Sequence, residues 1–83
     1  MSKVTVKFTN PNSGWDYDKE RCAELLTLNN EYEIESIVVL DWETELYLKG
    51  FDKPFNDANF TYCIDGKEVN RREALEKFGF ERA

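Results

Sequence analysis

The residue pattern predicts an α+β fold: a two-layer domain with a mostly antiparallel sheet of four to five strands and two helices, in the order β-α-β-β-β-(β)-α. Three features carry that reading. Residues 31–51 hold two extended runs back to back, 34–40 and 44–49, joined by Asp41-Trp42-Glu43. Two further runs, around Val6 and around Tyr62, alternate apolar with polar residues at the strand period. Two segments carry helix signals: an acid-rich start near Asp16 or Asp18, and a start at Asn70 with Glu73 three residues on and Gly79 at the end.

Val4, Val6 and Phe8 alternate with Lys3, Thr5, Lys7 and Thr9, which reads as a half-buried strand with a basic outer face. Met1-Ser2 leads directly into it. Asn10-Pro11-Asn12-Ser13-Gly14 is a loop by its turn chemistry. The helix that follows has early acids suited to its N-terminal dipole. Its apolar stripe is Cys22, Leu25 and Leu26, with Tyr17 or Ala23 and Leu28 beside it, and Asn29-Asn30 is its expected stop. In the next strand Ile37 and Val39 face one side and Val38 and Leu40 the other, so both faces are expected to be partly covered. In its partner Trp42, Thr44, Leu46 and Leu48 share one face, with Glu43, Glu45, Tyr47 and Lys49 on the other, and Gly50 ends it. Residues 51–57 read as a loop, because Pro54 does not fit a central strand. Phe60, Tyr62 and Ile64 form another strand, Asp65-Gly66 a two-residue hairpin turn, and Lys67-Glu68-Val69 a short return. The last helix turns Ala74, Leu75 and Phe78 inward, and Phe80 is expected to fold back over its end.

At 83 residues the chain is one domain, residues 1–83, with a small core. Six Phe, four Tyr and two Trp enlarge that core. No apolar run is long enough for a membrane span or a signal-peptide core, so the chain reads as cytoplasmic. In a reducing compartment Cys22 and Cys63 read as buried hydrophobes without a disulfide, and the Asn59-Phe60-Thr61 sequon is silent without export. The net charge of −6 is concentrated. Residues 16–45 carry ten acids against Lys19 and Arg21, whereas acids and bases balance over residues 46–83. Such a surface repels nucleic acid and anionic membranes and suits a basic partner; the plainer reading is a solvated, solubilising face.

The chain has no histidine, which removes the commonest general base and transition-metal ligand. Cys22 lies in a helical apolar stripe and Cys63 on a strand, and neither has an activating partner in the pattern. The segment from Asp16 opens like a calcium loop, but Arg21 stands at the glycine position and Thr27 at the bidentate acid position. The four glycines are isolated, so no phosphate-binding loop is present. No cofactor and no metal are expected, and an enzyme is not the reading. The candidate binding residues are Glu31, Glu33, Glu35, Asp41, Trp42, Glu43 and Glu45. Trp is the residue most enriched in binding hot spots, and flanking acids suit a partner's Lys or Arg. Trp42 has a second reading as the largest core residue, which its parity with Leu46 and Leu48 favours.

The run Trp42-Glu43-Thr44-Glu45-Leu46-Tyr47-Leu48-Lys49-Gly50-Phe51, followed by Pro54-Phe55-Asn56, resembles a segment of small orphan proteins of phages and prophages of Gram-positive bacteria. That resemblance implies a small accessory phage protein without an assigned activity, of a class that often binds host machinery, defence systems included. The resulting expectation is a small acidic, non-enzymatic interaction protein. It would inhibit a host nucleic-acid-handling or defence protein by engaging a basic surface through its acidic segment. The alternative is a structural or assembly module that self-associates, as a homo-oligomer, through a sheet edge and aromatic surface.

Overall fold

Strand β1 (Val4–Phe8) is the centre of the sheet because both of its edges find partners. The structure, a computed structural model, describes residues 3–83; Met1 and Ser2 lie outside the described residues. After β1 come helix α1 (Asp16–Leu25), β2 (Glu31–Val39), β3 (Thr44–Leu48) and β4 (Phe55–Asn56). A 3₁₀ turn (Asp57–Asn59), β5 (Phe60–Ile64), β6 (Lys67–Glu68), helix α2 (Arg71–Phe78) and β7 (Glu81–Arg82) complete the chain. The sheet runs β4-β3-β2-β1-β5-β6 with antiparallel neighbours, and β7 lies parallel beside the end of β2.

The α+β architecture and the two helices are as the pattern predicts. Among the described residues the strand count is higher than four to five, at seven. The excess is in two-residue strands, β4 and β7, which are too short to display a period. Phe55 pairs with Leu46 and Asn56 with Glu45, so part of the expected 51–57 loop is an edge strand, with Pro54 just before it. Phe80, expected to fold back over the helix end, is 42% exposed, and the residues after it form β7.

The core lies on one face of the sheet. Val4, Val6 and Phe8 of β1, Ile34 and Ile37 of β2, Leu46 and Leu48 of β3, and Phe60 and Tyr62 of β5 form one cluster. Both helices cover it, α1 with Cys22 and its C-cap residue Leu26, α2 with Ala74 and Leu75. Phe55 joins edge-on to Phe51 and Phe60. A register shift between Ile34 and Ser36 lets both Ile34 and Ile37 point inward, three residues apart, which an unbroken strand forbids.

The α1 stripe differs from the expected one. Cys22 and Leu26 are buried, but Leu25, Leu28 and Tyr17 are about half exposed and Ala23 is exposed. The inward position one turn before Cys22 belongs to Asp18, which is 3% exposed. The helix also stops earlier, at Leu25; Asn29, with φ 70°, serves the turn that follows. Asn70 caps α2 by accepting from the Glu73 amide at 2.8 Å, and Gly79 ends it at φ 93°. Asp65 and Gly66 both have positive φ, as a type I′ hairpin turn requires.

Candidate functional site

Trp42 is not core. It is 68% exposed and sits with Asp41 in the two-residue tip of the β2–β3 hairpin, closed by Leu40 N–H donating to Glu43 O at 2.8 Å. The strand parity of Leu46 and Leu48 reaches back only to Thr44, where β3 begins, so it did not apply to Trp42. Neither tip residue has positive φ, so the turn is not the primed type that Asp65-Gly66 forms.

The other tryptophan, Trp15, is 54% exposed and holds the N-cap position of α1. That position favours Ser, Thr, Asp or Asn, whose oxygen accepts a free helix amide; an indole cannot. Asp18 compensates from inside the helix, accepting from the Trp15 amide at 2.9 Å. A large exposed aromatic where the local rule asks for a small acceptor marks a position held for something other than helix stability.

Trp15 and Trp42 both line one cleft of about 350 Å³, together with Gly14, Glu43, Asn56, Asp57 and Ala58. A polar scaffold beneath it fixes both walls. Asn56 on β4 donates to Asp18 at 3.2 Å, tying α1 to the sheet. Asn59 is wholly buried and donates to the Asn10 and Ser13 carbonyls at 2.7 and 2.8 Å, which holds the loop that delivers Trp15. Asp57 accepts from the Tyr62 hydroxyl at 2.8 Å and from Arg71 Nε at 3.0 Å, and Arg71 also donates to Thr44 Oγ1.

Negative charge accumulates on this side. Tyr17 donates to Glu43 Oε1 at 3.4 Å. Burial raises the Glu43 carboxyl above its ordinary range, and the charges of Asp18 and Glu45 push it further. Tyr17 is raised by partial desolvation and then by Glu43 and Asp18. Among the described residues no Lys or Arg forms an ion pair with Asp18 or Glu43.

The seven sequence-predicted site residues thus separate. Asp41, Trp42 and Glu43 share the hairpin tip, with Trp42 and Glu43 lining the cleft. Glu45 neighbours them on β3, with its backbone opposite Asn56. Glu31 and Glu33 lie on the uncovered face of the sheet, opposite Lys7 and Thr5 of β1. There Glu33 pairs with Lys3 and, at 3.5 Å, with Lys49, and these bases hold its carboxyl below the usual range. Glu31 accepts from Thr5 Oγ1 at 3.0 Å. Glu35 is exposed at the register shift. Of these three only Glu33 is ion-paired, with Lys3 and Lys49, and all three stand apart from the hairpin tip, so the acidity of residues 16–45 is not one continuous surface. Trp15, Asn56 and Asp57 were not singled out from the pattern. The misfit of Trp15 directly before an acidic helix start was the one available signal.

A family model described as bacteriophage T4 protein Y07B matches residues 3–76, which run from β1 through most of α2 and include the whole cleft. The chain belongs to that family. Membership bears out the phage attribution but does not carry the Gram-positive origin. No curated protein and no solved structure matches the chain. No helix among the described residues is long and apolar enough to cross a membrane, and no group of three or more His, Cys, Asp or Glu there is placed to hold a metal ion.

Proposed function

We propose that this member of the Y07B family is a non-enzymatic interaction protein that acts in the host cytoplasm. It binds a basic host protein, one that handles nucleic acid or serves in defence, and blocks its basic surface. The observation that carries the reading is the shared cleft: both tryptophans of the chain are spent on one acid-rimmed surface feature rather than on the core. Nucleic-acid-handling proteins present Lys and Arg to phosphates, and an acidic surface competes for the same groups. Self-association through a sheet edge has less support. The outer strands β4 and β6 are two residues long, and both residues of β6 are charged.

The test is capture from a bacterial host lysate with the tagged protein at low and high salt, beside Trp42→Ala. The reading expects a captured basic protein that is released by salt and lost with the variant. Capture that ignores both salt and the substitution contradicts it.

A further inference from the structure

The cleft also says which chemical group of the partner it takes, an inference that rests on the interaction reading above. We propose that the Trp15–Trp42 cleft is a pocket for an arginine side chain presented by a basic protein, with Glu43 as the counter-ion for its guanidinium.

Indole faces are the strongest cation–π surfaces among the side chains. Within the chain, Arg21 lies over Tyr17 and Arg82 over Phe80, while among the described residues no cation lies over either tryptophan. Nor is either indole ring in an aromatic pair there; the ring pairs all belong to Phe and Tyr. Both tryptophan side chains are more than half exposed and so are open to a ligand. Glu43 lines the same cleft without a basic partner among the described residues; the Tyr17 hydroxyl, at 3.4 Å, and the Trp42 side chain are the groups that ease its charge. A carboxylate already disfavoured by its acidic neighbours gains from any cation brought beside it.

Behind Gly14 the cleft is held by the interior. Asn59 Oδ1 is buried and has no hydrogen-bond donor among the described residues. Its orientation is not interchangeable: both amide protons go to carbonyl oxygens, so the nitrogen must face them and the oxygen must face away. That oxygen lies behind Gly14 in the interior, 3.2 Å from where a Gly14 Cβ would stand, with Asp18 Oδ2 3.0 Å from the same point. Two buried acceptors thus hold the Gly14 side of the cleft in place from within. A guanidinium has five N–H donors in a planar fork, sheds water more readily than an ammonium and stacks flat on indole, so it uses the tryptophans and the Glu43 carboxylate together. A lysine would use the charge but not the plane.

The probe is a hexa-arginine peptide, read by the emission of Trp15 and Trp42, beside hexa-lysine and hexa-citrulline, the last being a neutral analogue of matching shape. The proposal expects a saturable emission change with hexa-arginine, weaker binding of hexa-lysine and none of hexa-citrulline. Trp42→Ala and Glu43→Gln should each weaken hexa-arginine by about tenfold, whereas the double variant Glu31→Gln, Glu33→Gln should change it by less than about twofold. Circular dichroism establishes that each variant is folded before titration. Equal binding of hexa-citrulline or hexa-lysine, or undiminished binding by Trp42→Ala and Glu43→Gln, overturns the pocket. Should hexa-arginine binding ignore Trp42→Ala while lysate capture still depends on it, only the guanidinium assignment falls. Should capture ignore it as well, the interaction reading falls too.

Discussion

Gly14 and Gly66 make a matched pair for testing how the cleft is built. Both have φ near +80°, a region that costs an L-residue about 1–2 kcal/mol. An alanine recovers about 0.4–1 kcal/mol by restricting the unfolded chain. A Cβ on Gly66 meets nothing within 4 Å, so Gly66→Ala should cost only the backbone difference, about 1 kcal/mol. A Cβ on Gly14 would stand 3.0 Å from Asp18 Oδ2, 3.1 Å from Asp18 Cβ and 3.2 Å from Asn59 Oδ1. Asp18 cannot yield freely, because its carboxylate holds the Trp15 amide and the Asn56 side chain. Losing one hydrogen bond to a charged group adds about 1.5–3 kcal/mol, so Gly14→Ala should cost about 2–4 kcal/mol in all. Urea unfolding measures both. With a slope of about 1 kcal/mol/M for a small domain, the midpoints should fall by about 1 M for Gly66→Ala and about 2–4 M for Gly14→Ala. Equal midpoints for the two variants would refute the claim that Asp18 and Asn59 rigidly back the Gly14 wall.

Other expectations follow from burial and capping. Trp42→Ala should cost at most about 1–2 kcal/mol, since two thirds of the side chain is already in water, against about 3–5 for a core tryptophan; thermal melts separate the two. Asn70→Ala should destabilise by about 1 kcal/mol through loss of the α2 cap, read as a lower urea midpoint with an unchanged slope. The protein should lose stability in alkali. Burial lifts the Cys22 thiol from the ordinary 9.0 to about 11, so between those values the folded state keeps a proton that the unfolded state releases. Stability is full below about pH 9 and falls through about pH 11, and Tyr62, raised by burial and by Asp57, adds a further loss above its ordinary 10.0. Melting temperature against pH checks this, and Cys22→Ala should flatten the first part of the decline.

The long strands, both helices, the type I′ turn and the Asn70 cap were legible because each carries a local signal: a period of two, an acid-rich start, an Asp-Gly pair, an Asn with a Glu three residues on. Strands β4 and β7 were not, because two residues have no period and their pairing is decided by the sheet edge they meet. The register shift in β2 was hidden for a related reason, since Glu35-Ser36 adds a residue without a glycine to mark it. Trp42 was misplaced by carrying a strand's parity into a turn. Asp18 shows the converse: a charged residue occupied an inward helix position because its partners, Trp15 N–H and Asn56, come from outside the helix and from a remote strand. Half of the site was therefore readable, the Asp41-Trp42-Glu43 tip, while the half formed by Trp15, Asn56 and the Asn59 staple depends on contacts across 38 to 49 residues of sequence.

Under the proposed function, binding belongs to the tryptophan cleft and not to the glutamates of the uncovered sheet face. Parallel capture from host lysate by two folded variants tests it most directly: Trp15→Ala with Trp42→Ala, and Glu31→Gln with Glu33→Gln. The cleft account predicts that the first variant loses the partner and the second retains it, with the captured protein released from the second by the same salt as from the parent. Retention by the tryptophan variant together with loss by the glutamate variant would contradict it and move the site to the open face of the sheet.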